Sequence, residues 1–406
     1  MSEPNKLPKR VAILVAQQSL IIHGGIGQFT KAFCDMGERF GWEVDLILDG
    51  YSTDATLAMV KHMRECGWKG WAISPYDKLS YANFVDTAEN RHKDGVNFEK
   101  EINFRQAMFR ALQDGLEYDL IVCNNPESFI PVYSMGLTSK IPTVFYTHNE
   151  NFIGIQDEVG PFSNEYNEVY RRMLTLPGII VGTQSDHNVK RMKKMYGIDA
   201  MSLPMPLPEL ELFKPYAMKQ DDRRGVLFIG RWEDRKDYKT YLKVIKETGL
   251  PARVMTNQSG AQKFEDAFKT LGITDFTIAY GLSGKEKADF IRNSSVYFSP
   301  AKKEAFCFAA FECIPHCHVV LLNDYEWSEP FEGLPNVHRV PKKTAAQTIK
   351  GLYRDIPDRA GNKVLRDYQT NAETTWASFL ATHPKSSATI PQLKRASTTQ
   401  VDALFA

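Results

Sequence analysis

The chain has 406 residues, 43% of them hydrophobic and 24% charged, with a formal net charge of +1. That length exceeds one ordinary core and suits two α/β domains, and the balance is that of a folded globular chain, which excludes wholesale disorder. A net charge near zero excludes recognition of a polyanion through the field of the whole molecule, and six scattered cysteines exclude a dense disulfide framework.

The first ten residues are polar, and the apolar run 11–16 is too short to span a bilayer. This predicts a cytoplasmic chain with reduced thiols and no integral membrane association. From there short apolar runs alternate with amphipathic stretches, the pattern of a parallel sheet covered by helices. A strand is predicted over 10–16, a glycine turn over 23–27 and a helix over 28–40. Strands follow over 43–49, 119–124, 143–148 and 178–183, with helices notably over 97–113 and 186–196. The run 203–208 carries Pro204, Pro206 and Pro208, which remove donors and fix φ, so 203–222 is read as the connection between domains. The α/β rhythm then restarts, with strands over 225–230, 252–256, 276–280, 296–299 and 319–322 and helices over 234–247, 285–293, 306–314 and 344–355. A last long helix is predicted over 362–381 and a loosely ordered tail over 385–406. The fold class expected is α/β. Two Rossmann-like domains, 1–205 for an acceptor and 206–361 for a donor, face each other across a cleft. A terminal helix in 362–384 crosses back to the first domain.

Three features point to one ligand, a sugar linked to a diphosphate. The first is Gly24, Gly25, Ile26 and Gly27 between a strand and a helix, where glycines admit a bulky ligand and the helix N-terminus favours anions. Thr30 stands where the dinucleotide fingerprint has its last glycine, so the motif is not that fingerprint, and a plain tight turn is the competing reading. The second is Gly230-Arg231-Trp232-Glu233-Asp234-Arg235-Lys236 at the end of a strand. Arg231 can grip phosphate oxygens with two parallel bonds, and Lys236 adds a point charge. Both would stabilise a departing diphosphate, whose charge grows as the sugar bond breaks. The competing reading is a solvated basic loop balanced by Glu233, Asp234 and Asp237. The third is Glu304 and Glu312, eight residues apart, around Ala305, Phe306, Cys307 and Phe308. Here amides of 305–308 would form a helix N-terminus facing the phosphates, Glu304 would take sugar hydroxyls, and Glu312 would take the ribose. The stretch between the glutamates is wholly apolar, so the helix is buried and a glutamate within it needs a partner.

The strand-capping Gly-Arg with a lysine five residues on, followed by Glu-x7-Glu, resembles the retaining GT-B glycosyltransferases of the family that includes sucrose synthases and bacterial mannosyltransferases. The resemblance spans residues 11–376 in order and is strong in the second half. It implies donor binding by Gly25, Arg231, Lys236, Glu304 and Glu312, no required cofactor or metal, and a nucleotide sugar, UDP-linked, as co-substrate. It also implies a retaining reaction, with the leaving phosphate assisting the incoming hydroxyl. His148 matches the position where the family places a histidine beside the donor sugar. Ala305 and Cys307 depart from the glycines usual there, which bears on donor preference.

For the acceptor, Asn149 and Glu150 follow His148, and Lys190, Arg191, Lys193 and Lys194 form a basic cluster on one helix, with Arg171, Arg172, Lys61, Arg64, Arg91 and Lys93 elsewhere. Such residues suit a phosphate backbone or a solvated face equally. The layout is loosely similar to the phage α-glucosyltransferases that act on hydroxymethylcytosine. This implies duplex DNA as partner, in the host cytoplasm if phage-encoded. A glycan, a lipid-linked sugar (given the Met/Trp/Lys-rich stretch 51–71) and a small metabolite remain alternatives. So do a nucleotide-sugar epimerase and a non-catalytic binding protein. The crowded Cys313, His316, Cys317 and His318 lack the second ligand pair of a zinc finger.

Overall fold

Parallel strands covered on both faces read as continuous apolar runs. The strand Arg10–Val15 (β1) is such a run, buried at every residue after Arg10. The computed structural model describes residues 9–16, 25–50, 68, 70–73, 98–148, 173–207, 212, 224–282, 284–304 and 306–383. The chain divides into two compact units, Met1–Pro208 with Ala372–Ala406, and Glu209–Asn371.

In the first unit β1 is followed by α1 (Gly25–Phe40), β2 (Glu43–Leu48), β3 (Ala72–Ile73), α2 (Phe98–Gln113), β4 (Leu120–Cys123) and α3 (Pro126–Ser134). Then come β5 (Thr143–Tyr146), β6 (Ile180–Thr183), α4 (Asp186–Tyr196) and β7 (Met201–Ser202). Among the described residues these strands form one seven-stranded sheet in the order β3-β2-β1-β4-β5-β6-β7. The pairings of β1 with β2 and with β4 are parallel. The chain therefore reverses its direction of winding between β1 and β4, the switch point beyond whose strand ends ligands of such sheets bind. Phe104, Met108, Ile121, Phe129 and Phe145 pack as one core layer. Successive strand residues face opposite ways, so Tyr146 leaves that layer and stacks on Phe29 with centroids 4.7 Å apart. The fully buried Trp376 joins this second group, edge-on to Phe33 at 4.8 Å, and its Nε1 donates to the carbonyl of Pro204 at 3.0 Å.

In the second unit the elements are β8 (Val226–Ile229), α5 (Tyr238–Thr248), β9 (Ala252–Thr256), α6 (Gln258–Leu271), β10 (Phe276–Tyr280) and α7 (Gly284–Arg292). They continue with β11 (Val296–Ser299), α8 (Phe308–Cys313), β12 (His318–Leu322), β13 (Val337–Val340), α9 (Ala345–Leu352) and α10 (Ala360–Thr382), whose residues from Ala372 onward belong to the first unit. The sheet order β10-β9-β8-β11-β12-β13 places its switch point between β8 and β11. Val226, Phe228, Tyr241, Val254, Phe264, Phe268, Val320 and Ile349 form the core. The buried Tyr241 hydroxyl donates to Val226 O at 2.7 Å, which satisfies the polar end of a large apolar ring. No described helix is long and apolar enough to cross a membrane.

Several elements differ from the sequence expectations. The helix expected from residue 28 begins at Gly25, so the glycine motif lies in its first turn. The helix expected over 234–247 is broken: Asp234–Lys236 is a 3-10 turn, and α5 starts at Tyr238. Between them Asp237 has φ 47°, a left-handed backbone that no helix continues. It caps α5 by accepting from Thr240 N at 3.3 Å. α3 escaped notice because Pro126 and Pro131 both fall in it. α6 did because only Gly260, Phe264 and Phe268 are buried, a stripe one residue wide. The short strands β3, β7 and β13 were also missed.

Candidate functional site

β8 and β11 are parallel neighbours, with Val226 opposite Val296. The loops that leave their carboxyl ends, 230–237 and 300–307, are therefore side by side at the second unit's switch point. Hydrogen bonds to backbone carbonyls fix them: Lys302 N donates to Arg235 O at 2.8 Å, and the buried Trp327 Nε1 donates to Ala301 O at 2.8 Å. Gly230 permits close passage, since a Cβ there would sit 3.4 Å from Lys236 Cδ and 3.2 Å from the Phe228 ring. The Lys236 stem runs over the strand end, and its ammonium pairs with the Glu304 carboxylate. These side chains are 18% and 9% exposed, so the pair is largely desolvated. Thus the structure joins two residues 68 positions apart that the sequence singled out separately.

Arg231 is exposed, and its Nε donates to Glu233 Oε1 at 3.0 Å. Arg235 Nε donates to Glu233 Oε2 at 2.7 Å. Burial pushes the Glu233 carboxyl up, but the bond and charge of Arg235, with Arg231 and Lys236 beyond, outweigh it and hold the carboxyl below its ordinary value. Glu233 is therefore an anion that orients two guanidiniums. The competing reading of an acid-balanced basic loop is right about Glu233. Asp237 is different, being a helix cap that also receives Lys342 Nζ at 3.1 Å.

The helix expected over 306–314 is only Phe308–Cys313, with Cys307 as its N-cap. Phe306 and Cys307 precede it, so their amides are not those of a helix. Ala305 lies outside the described residues. Phe306 stacks on Phe311 at 5.1 Å, meets Phe308 edge-on at 4.9 Å and stacks on Tyr368 at 5.6 Å, which fastens the loop by aromatic contact. Cys307, where the resemblance leads to an expectation of glycine, sits without strain because its φ is −94°. Its thiol is buried 3.6 Å from the Tyr297 hydroxyl, and burial pushes its pKa up to about 12, so it packs as a small apolar group.

Glu312 is 2% exposed and has the partner its buried helix demands: Lys287 Nζ, 2.6 Å from its Oε1. Sequence reasoning missed Lys287. Its signal was a lysine four residues before the buried Ile291 on α7, where a cation on the covered face implies an anion opposite.

In the first unit, α1 starts where the glycine motif was expected to meet its ligand. Gly24 lies outside the described residues, and Gly25 is the first residue of the helix. Thr30 Oγ1 donates to Ile26 O at 2.9 Å, so the residue in place of the fingerprint's glycine ties its hydroxyl into the helix. His148 follows β5, and its Nε2 lies 2.6 Å from Oδ1 of Asn124, the residue after β4. Burial alone pulls its pKa down to about 3, so the ring is neutral. Asn124 is a second residue that sequence reasoning missed, although it ends a predicted strand at the sheet edge where ligands bind. Asn149 and Glu150 lie outside the described residues, as do Arg171, Arg172, Lys61, Arg64, Arg91, Lys93 and the tail from residue 385. On α4, capped by Ser185 and ended by Gly197 at φ 68°, Lys190 and Lys194 are exposed, Arg191 is half-buried, and Lys193 Nζ binds Asp199 Oδ1 at 2.6 Å.

Three residues of the crowded Cys/His stretch reach different partners outside it. Cys317 Sγ donates to Ile291 O at 3.3 Å, His316 Nε2 lies 3.2 Å from Leu212 O, and His318 Nδ1 lies 3.3 Å from His338 Nε2. Among the described residues no group of three or more His, Cys, Asp or Glu is placed to hold a metal ion.

No family model matches this sequence. No curated protein matches it either. Among solved structures, the chain is similar to a sucrose-phosphate synthase from Thermosynechococcus elongatus, with a TM-score of 0.68 and 13% identity over 92% of this chain and 100% of that one. It is similar to HepE from Anabaena in complex with UDP and glucose, with a TM-score of 0.65 and 12% identity over 92% of this chain and 100% of the other. A glycosyltransferase from Rickettsia africae matches with a TM-score of 0.64 and 11% identity over 93% of this chain and 99% of its own. At such identities the likeness concerns the backbone: the chain has the fold of GT-B glycosyltransferases, two Rossmann-like α/β domains.

Proposed function

We propose that this protein is a glycosyltransferase that moves a sugar from a UDP-linked donor to a hydroxyl acceptor with retention at the anomeric carbon. The observation that carries the reading is the desolvated Lys236–Glu304 pair beside Arg231, at the switch point of the second unit. An ammonium held at a strand end by a carboxylate can be shared with a diphosphate, and the carboxylate then turns to sugar hydroxyls. The outer nitrogens of Arg231, whose Nε is held by Glu233, have no partner among the described residues and suit phosphate oxygens. In the reaction the bond from the anomeric carbon to the phosphate oxygen breaks, and its electron pair stays on that oxygen. The acceptor oxygen bonds to the same face, and its proton passes to the leaving phosphate. Lys236 and Arg231 stabilise the charge that grows on the diphosphate, which lowers the barrier to the extent that they bind it more strongly then than before. Glu312 serves the ribose and His148 the sugar. The fold shared with HepE, which holds UDP and glucose, supports this donor class.

For the acceptor we propose hydroxymethylated cytosine in duplex DNA, reached by flipping the base, in the cytoplasm. The exposed Lys190 and Lys194 with Lys193 on α4 support it, as they offer cations to a phosphate backbone. The test combines melting temperatures with nucleotide sugars and transfer of labelled glucose from UDP-glucose to duplex DNA with or without hydroxymethylcytosine. A raised melting temperature and label only on modified DNA are expected. No shift with any nucleotide sugar overturns the donor reading. Label on other hydroxyl compounds but on no DNA overturns the acceptor. Epimerised sugar from donor alone overturns transfer.

A further inference from the structure

Asn124 is buried, one residue beyond β4. Its Nδ2 donates to Leu14 O of β1 at 2.9 Å, across the switch point of the first sheet. A carbonyl oxygen only accepts, so the amide's NH2 must face Leu14 and its Oδ1 must face away. What Oδ1 meets is His148 Nε2 at 2.6 Å. An amide oxygen also only accepts, so Nε2 must carry a proton. The ring lies edge-on to Phe29 at 5.0 Å and tilted against Tyr146 at 4.8 Å, surroundings that disfavour an imidazolium. A neutral ring with its proton on Nε2 has a lone pair on Nδ1. That atom is buried and has no hydrogen-bond partner among the described residues.

We propose that Asn124 is a positioning residue that holds His148 as the neutral Nε2–H tautomer, so that the imidazole meets its ligand through Nδ1 as acceptor of a sugar hydroxyl proton and not as a cation on the diphosphate. The hydrogen-bond chain Leu14 O, Asn124, His148 transmits the direction of a backbone carbonyl in β1 to the proton on a ring beyond β5. The ligand part rests on the transferase reading; the tautomer part does not.

The experiment uses the full chain labelled with 15N-histidine. Two-bond nitrogen–proton correlations at pH 7 report the His148 tautomer, and His148→Gln identifies its signals. The expected result is a protonated Nε2 and a bare Nδ1 in the native chain and a mixture of tautomers in Asn124→Ala. An Nδ1–H tautomer or an imidazolium in the native chain overturns the proposal, whatever the variants do. Calorimetry with UDP and UDP-glucose tests the ligand part. In Asn124→Ala the dissociation constant for UDP-glucose should rise about tenfold, the loss of one hydrogen bond to a buried partner, while that for UDP stays unchanged. An equal loss for both ligands overturns the acceptor role. If the tautomer is held and neither ligand binds the native chain, the transferase reading and the ligand part fall together and the positioning role stands.

Discussion

Removing Lys287 should unbalance the second unit more than removing the whole pair it belongs to. Glu312 and Lys287 are 3% and 14% exposed at the side chain and 2.6 Å apart. At an effective dielectric constant of about 20 their attraction is about 6 kcal/mol gross, and desolvation costs several kcal/mol for each ion. The pair is thus near balance as a unit, and a buried carboxylate deprived of its ammonium is not. Lys287→Met should cost about 3–5 kcal/mol. Lys287→Met combined with Glu312→Gln should recover most of that, because the amide keeps the shape and drops the charge. For a unit of this size the single change lowers the midpoint by roughly 10 °C. Urea denaturation of the four members of the double-mutant cycle reads the coupling directly. A single variant within about 1 kcal/mol of the native chain, or a double variant no better than the single, would refute the argument that Glu312 is held as a buried anion by this lysine.

Arg231→Ala should lower glucosyl transfer by about 10²–10³-fold with the denaturation midpoint unchanged, since the residue is exposed and acts on charge in the transition state; near-native turnover would remove its phosphate role. Trp376→Ala should cost about 3–5 kcal/mol, because the ring is fully buried against Phe33 and its Nε1 bond to Pro204 is lost; calorimetric melting tests it, and a change within about 0.5 kcal/mol would mean that the C-terminal half of α10 is not part of the first unit's core. The pKa of His148 is about 3 when folded and 6.5 when free, so between these values the unfolded chain takes up a proton that the native chain refuses. Its contribution to stability is complete above pH 6.5 and is lost progressively as the pH falls to 3. His148→Gln should flatten this part of the stability profile, and parallel profiles for the two proteins would contradict a neutral buried ring.

What could be read from the residues in order is what depends on local period and composition. Doubly covered strands such as β1 and β12 are apolar after their first residue, so their positions and the doubling of the α/β pattern were legible. So was the need for a partner at the glutamate inside an apolar helix. Legibility ended where local signals conflict or thin out: prolines masked α3, a narrow stripe masked α6, and the left-handed Asp237 broke a helix that composition alone would continue. Only the tertiary structure decided which residues complete one another. Strand order puts Asn124 beside Leu14, 110 positions away, and the same kind of crossover brings Lys236 to Glu304. Hydrogen bonds and ion pairs of this kind are set by which strands become neighbours. Strand adjacency follows from packing the whole sheet, and no periodicity along the chain records it.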